Sequence, residues 1–227
     1  MKIRALILGL AALIPATAFA AKAVDWTNRV TVSPIGGHIM GNPAAPTKVV
    51  EYISYTCSHC AHFVNEGAPQ LKEGWVKTGK ATVEVRSAVR DRYDMTAALL
   101  ARCGGPARFY GNHGALFANQ TAWIPQVEAY EAANNKPSAN QKPSAILQDI
   151  GRKTGLYTLM TKRGFTPRQL DACIADPAAL KAVTGMTNDA WNVAKISGTP
   201  GFTLNGKMLA GTSTWEALRA ALPGGGN

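Results

Sequence analysis

After its first twenty residues the chain opens with "NRVTVS" (28–33), a short alternation of polar and apolar positions that predicts a strand. A turn-rich stretch, "GNPAAP" (41–46), leads into "TKVVEYISY" (47–55), whose β-branched and aromatic composition predicts a buried strand. Residues 58–77 read as a helix that Pro69 is expected to kink. "ATVEVRSAV" (81–89) alternates again. The opening is thus strand, strand, helix, strand, and it contains one βαβ unit.

From residue 91 to 197 the pattern turns helical and rich in alanine. "CGGP" (103–106) interrupts it, and the polar, low-complexity "ANNKPSANQKPSA" (133–145) is expected to be a loop. Strand character returns in "GTPGFTLNGKMLAG" (198–211), where "GFTL", an Asn205-Gly206 turn and "KMLA" spell a hairpin. "TSTWEALRAAL" (212–222) has a Thr or Ser cap, Glu216 in its first turns and apolar spacing for a closing helix. No internal repeat is evident. Residues 21–90 and 198–227 are therefore expected to build one α/β scaffold, with 91–197 inserted as a helical subdomain.

The first twenty residues belong to a different pattern. Lys2 and Arg4 precede an apolar run from Ala5 to Ile14, and Ala18-Phe19-Ala20 forms an A-x-A signature. This is the layout of a signal peptide cleaved after Ala20, and the run is far short of the roughly 20 residues a spanning helix needs. Export to the periplasm is the expectation. Lys2 and Arg4 account for two of the formal charges in a net +10. The remaining basic residues are dispersed, which favours a solvated basic surface over a nucleic-acid patch. In an oxidising compartment the four cysteines, Cys57, Cys60, Cys103 and Cys173, favour two bridges over free thiols.

Residues 56–62, "TCSHCAH", carry the chemistry. Attachment of a c-type haem requires His directly after the second cysteine, and Ala61 stands there. A zinc knuckle requires a second cysteine pair at ligand spacing, and Cys103 and Cys173 stand alone. A metal carrier built from Cys57, Cys60 and His62 stays open, since thiolates and imidazole suit Cu(I) and Zn. A C-x-x-C at the junction of a strand and a helix has a second explanation. At a helix N-terminus, unpaired N–H groups and the dipole favour a Cys57 thiolate, and a protonated His59 adds to this. Cys60, one turn on, is placed to close a disulfide. Glu51, inside an otherwise apolar strand, is either an edge residue in solvent or a buried carboxyl six residues before Cys57, able to exchange protons with Cys60. Thr199-Pro200 precedes a strand, where an X-Pro bond is cis or trans at small cost.

Together, "GNPAAPTKVVEYISYTCSHC", "RDRYDMTAALLARC", "HGALFANQ" and "GTPGFTLNGK" resemble the DsbA-like thiol–disulfide oxidoreductases of the thioredoxin superfamily over essentially the whole chain after residue 20. The resemblance implies a thioredoxin fold with an inserted helical subdomain. It also implies roles: Cys57 as nucleophile, Cys60 as resolving thiol, His59 as thiolate stabiliser and Glu51 as buried proton acceptor. Pro200 would be a cis proline, with Thr199 offering backbone groups to a substrate strand. Cys103 and Cys173 look like the extra bridge of some alphaproteobacterial members. No organic cofactor or metal is implied beyond the redox disulfide. The partners implied are reduced exported proteins as substrates and a DsbB-like, quinone-linked membrane protein as reoxidant, with the chain acting as a monomer.

The resemblance has departures. Ser58 stands where the best-known oxidases carry proline, and Thr199 where they carry valine. Thr before the cis proline also resembles disulfide isomerases, so an isomerase or reductase is the first rival and a non-catalytic copper carrier the second. Only about 25 residues, 21–45, separate the expected cleavage site from the entry strand, which leaves no room for the isomerases' dimerisation domain.

Overall fold

Among the described residues, six strands form one mixed sheet in the order β1-β2-β4-β3-β5-β6. They are β1 (Val30–Val32), β2 (His38–Gly41), β3 (Thr47–Ile53), β4 (Ala81–Ser87), β5 (Gly201–Leu204) and β6 (Lys207–Met208). The computed structural model describes residues 24–133 and 140–225. The expected signal peptide lies outside them, as do residues 134–139 of the expected loop. Pro143 to Ala145 of that loop are already helical.

β3 is central. It pairs in parallel with β4, with Glu51 opposite Val85, and antiparallel with β5, with Glu51 opposite Phe202. A strand paired on both sides and covered on both faces has no solvent side, which is why its composition is apolar throughout. Its alternation sends Val49, Glu51 and Ile53 to one face and Val50 and Tyr52 to the other. β2 was not expected. Its four residues, "HIMG", are too short and too glycine-rich to show a pattern alone. They become a strand by pairing with β4, with His38 opposite Val85 and Met40 opposite Val83.

The first helical rod covers the face that carries Glu51. It runs as α1 (Ser58–His62), a π turn (Phe63–Gly67), α2 (Ala68–Leu71) and a second π turn (Lys72–Val76). Pro69 lies in the first turn of α2, so its missing N–H falls where the first wide turn ends. Gly67 is required by packing. A Cβ there would meet the Trp215 Cβ at 2.8 Å, against the closing helix α10 (Trp215–Ala221) that Thr214 caps.

Among the described residues, seven helices make up the middle of the chain: α3 (Arg92–Ala101), α4 (Pro106–Ala118), α5 (Gln120–Ala132), α6 (Pro143–Lys153), α7 (Leu156–Lys162), α8 (Pro167–Ala175) and α9 (Pro177–Asn188). A π turn, Asp189–Val193, prolongs α9. Asp91 caps α3 and Thr166 forms a capping box with Gln169 at α8. Gly104 and Gly105, both at positive φ, turn the chain from α3 into α4. One continuous apolar core joins Val49, Ile53 and Phe63 of the scaffold to Leu99, Leu116, Ile150 and Leu170 of the helical block.

A disulfide, Cys103–Cys173, ties the end of α3 to α8 with the two Cα atoms 5.6 Å apart. It closes a loop of 70 positions. The chain-entropy model assigns such a loop roughly 4 kcal/mol of stabilisation, at the upper end of what bridges deliver. Replacing both cysteines with alanine should therefore lower the guanidinium midpoint by the equivalent of roughly 2–4 kcal/mol, with far-ultraviolet circular dichroism unchanged. A midpoint within error of the parent would mean the bridge adds nothing to stability.

Candidate active site

The chain leaves β3 through a turn in which the Cys57 N–H donates to the Ser54 carbonyl at 3.1 Å. Cys57 then takes extended φ/ψ as the N-cap of α1, so the first free N–H groups of the helix converge on its sulfur. The cis peptide Thr199–Pro200 brings the start of β5 beside it. The Cys57 thiol donates to the Thr199 carbonyl at 3.1 Å. Both cysteines of the motif are unbridged, Cys60 fully buried and Cys57 5 % exposed.

These surroundings separate the two sulfurs. The Cys60 thiol, hydrogen-bonded to the Cys57 sulfur, is the main influence that brings Cys57 down from 9.0 to about 4. Burial opposes it. The Thr199 hydroxyl and the backbone N–H groups of Cys60 and His59 act with it. His59 thus contributes through its backbone, and its side chain is exposed. Cys60 moves far in the opposite direction, driven first by burial and then by the neighbouring Cys57.

Glu51 lies at the centre of the sheet, 2 % exposed, so the edge-strand reading does not describe its position. Burial raises its carboxyl from 4.5 to about 8, and its Oε1 has no hydrogen-bond partner in the protein. Its charge is among the influences that push Cys60 up. His62 is turned outward, with Nδ1 3.0 Å from Glu66 Oε1 and both side chains exposed. Among the described residues no three His, Cys, Asp or Glu side chains gather in a way that could hold a metal ion.

Residues that the sequence reading left without a role hold the turn. Asp94 is buried at the start of α3 and accepts from the Tyr55 N–H at 2.7 Å and the Arg90 N–H at 3.1 Å. Its burial outweighs these bonds and lifts it from 3.8 to about 7. Arg90 donates to Ser54 Oγ at 3.0 Å and Thr56 Oγ1 at 3.1 Å, and Thr56 in turn donates to Asp91 at 3.0 Å. From the first residue of α5, the Gln120 amide donates to the Tyr55 carbonyl at 2.8 Å and the Cys57 carbonyl at 3.0 Å. Apart from the Arg90 N–H bond to Asp94, four positions away, these contacts cross 34 to 65 positions, beyond the reach of local patterning. Beside the sulfur, a cleft of about 410 Å³ opens between His59, Ile196, Thr199, Pro200, Met208 and Leu209.

Residues 33–223 match the protein-family model described as Thioredoxin. Two curated relatives are each named "Putative protein-disulfide oxidoreductase". One, from Rickettsia bellii, is 29% identical over 74% of this chain and 56% of its own length. The other, from Rickettsia felis, is 30% identical over 81% of this chain and 58% of its own. The chain thus spans little more than half the length of these relatives. Among solved structures, a protein-disulfide isomerase from Novosphingobium aromaticivorans is 38% identical with a TM-score of 0.74, covering 82% of this chain and 94% of that one. Wolbachia pipientis alpha-DsbA1 has a TM-score of 0.60 at 22% identity over 76% of each chain, a likeness of fold.

Two outcomes follow from this geometry. Alkylation of reduced Cys57 by iodoacetamide should show a midpoint near pH 4, against an ordinary 9.0. Thr199→Val, which removes one hydroxyl donor, should move that midpoint upward; a wild-type midpoint above pH 8 would contradict the assigned electrostatics. Glu51 gives a stability signature. Its folded pKa is raised from 4.5 to about 8, so its contribution is fully present below about pH 4.5 and lost as pH climbs toward 8. With Cys57 and Cys60 reduced, the stability difference between wild type and Glu51→Gln should fall by roughly 3–5 kcal/mol across that window. Denaturant titrations at several pH values would read it, and a flat difference would place Glu51 in water.

Proposed function

We propose that this chain, which belongs to the thioredoxin family, is an exported, monomeric thiol–disulfide oxidoreductase that introduces disulfides into newly exported proteins. The observation that carries the reading is the opposed pair of sulfurs, Cys57 lowered and Cys60 raised on one turn of helix. Stabilising the Cys57 thiolate stabilises the reduced form, so the Cys57–Cys60 disulfide is the oxidising partner in exchange.

In this mechanism a client thiolate attacks Cys57 of the disulfide, and the Cys57–Cys60 bond breaks as the mixed disulfide forms. Cys60 leaves and takes a proton. Glu51, largely protonated at neutral pH, supplies it from the same buried face. The client's second thiolate then attacks the client sulfur of the mixed disulfide, and Cys57 departs as a thiolate needing no proton. The net result is one client disulfide formed and the Cys57–Cys60 pair reduced to a Cys57 thiolate and a Cys60 thiol. Return to the disulfide removes two electrons and the Cys60 proton, for which a DsbB-like, quinone-linked membrane protein is the proposed electron acceptor and Glu51 the first proton acceptor. No organic cofactor or metal enters the scheme. The Thr199 carbonyl and the adjacent cleft are the proposed seat of the client strand. The periplasm is the proposed location, on the strength of the Lys2, Arg4 and Ala18-Phe19-Ala20 pattern. Among the described residues no helix is long and apolar enough to cross a membrane.

A second reading, isomerase, draws on Thr199 and on the printed name of the Novosphingobium aromaticivorans structure. Two assays separate the readings. Cys60→Ala should accumulate Cys57-linked mixed disulfides with exported proteins on non-reducing gels, because the resolving thiol is gone. The wild type should oxidise reduced, unfolded ribonuclease faster than it repairs scrambled ribonuclease. Faster repair of the scrambled form would favour the isomerase, and the absence of mixed disulfides would remove dithiol exchange altogether.

A further inference from the structure

The carboxyl of Glu51 does not face only Cys60. It forms part of the wall of a pocket of about 410 Å³ that lies between the sheet, the π-turned rod and α4. Its walls are Met40, Val83 and Val85 of the sheet and Val64 and Leu71 of the rod, and its mouth carries the opposite charges of Lys72 and Glu73. A cavity of this size and apolar lining, with few polar groups, has the build of a small-molecule site. About 150 Å³ is enough to hold benzene.

Two polar groups of its inner wall already hold protein partners. The Tyr110 hydroxyl lies 2.8 Å from the carbonyls of both His38 and Val83. His113 Nδ1 is hydrogen-bonded to the Tyr55 hydroxyl at 3.0 Å. Glu51 Oε1 remains, buried and without a protein partner, and among the described residues Glu51 takes part in no ion pair. A ligand that fits must therefore present one polar head and keep the rest of its surface apolar. A carboxylate head would set a second acid against the buried Glu51 carboxyl. A hydroxyl head would offer the neutral carboxyl a hydrogen bond and no charge. An ammonium head supplies a donor and the charge that draws Glu51 into its ionised form.

We infer that this pocket is a binding site for a small apolar primary amine, its ammonium against Glu51 and its hydrocarbon body along Met40, Val64, Val83 and Val85. Binding couples to chemistry. An ammonium paired with Glu51 holds it as a carboxylate with reduced proton affinity, so both the proton supplied to a departing Cys60 and the proton taken up during reoxidation become harder to move. That coupling rests on the role proposed for Glu51 above; the binding itself does not.

Benzylamine is a suitable probe, with benzyl alcohol as its uncharged isostere and benzoate as the anionic control. Each is titrated into the reduced protein while the methyl resonances of Met40, Val64, Val83 and Val85 are followed. Benzylamine should shift all four together and saturably, at least tenfold more tightly than benzyl alcohol, with no saturable shift from benzoate. Glu51→Gln should erase the preference for the amine. The comparison of amine with alcohol in the wild type stands on its own if the variant fails to fold. No saturable shift with benzylamine, or equal affinity for amine and alcohol in the wild type, overturns the inference. At saturation, oxidation of a client peptide should slow several-fold. Binding with an unchanged rate would leave the site standing and count against the proton role of Glu51.

Discussion

Everything at this site depends on how one helical turn shuts its second cysteine off from water while free N–H groups converge on its first. Cys57 sits at the end of α1, where backbone N–H groups have no helical partners, and Cys60 sits beneath, shut off from water. The hydrogen bond from the Cys60 thiol to the Cys57 sulfur lowers the one and, after burial, helps raise the other. Desolvation acts on both, but only at Cys57 do enough donors converge to overcome it. A C-x-x-C on an exposed helix would lack this division. It takes a strand buried on both faces to carry the chain into the helix with its second residue already in the core.

That requirement explains the position of Glu51. A carboxyl at the centre of an apolar strand is costly to ionise, and the raised pKa expresses the cost. The fold tolerates it because the group stays neutral over most of the working pH range. A neutral acid beside a buried thiol is also the arrangement in which a proton can move between them without a full charge being stranded in the core. Stability and the proposed proton transfer therefore draw on the same desolvation, and a substitution that relieves one alters the other.

Much of this was legible in the order of patterns along the chain. Alternation at 28–33 and 81–89, the apolar run at 47–55 and the Asn205-Gly206 turn placed β1, β4, β3 and the β5–β6 hairpin, since each is set by local composition. The Thr166-Pro167 start of α8 and the Thr214 cap of α10 are likewise local. β2 was not legible, because "HIMG" becomes a strand only through its partner β4. Neither were the supports of the active-site turn. Asp94, Arg90 and Gln120 look like ordinary polar residues at helix starts, and their partners lie tens of positions away. The expected cationic contribution of His59 is instead made by its N–H, a difference that side-chain identity alone does not reveal.

The helical insertion is consequently part of the site and not an addition to a finished scaffold. Remove it in thought, and the strand–turn–helix of β3 and α1 survives, but Tyr55 loses both the carboxylate that receives its N–H and the amide that binds its carbonyl. The Cys57 carbonyl loses the same Gln120 amide and keeps the Ala61 N–H of its own helix. The face bearing Glu51 would also lose Tyr110 and His113, which line the pocket between sheet and helix. A scaffold open on that side would admit water to the carboxyl, let its pKa fall toward that of an ordinary glutamate, and weaken the desolvation that raises Cys60. The bridge from Cys103 to Cys173 joins the end of the helix whose first turn carries Asp94 to a neighbour deeper in the insertion. It thereby ties the support of the Cys57 turn to the body of the helical block, nine positions from the carboxylate that holds Tyr55.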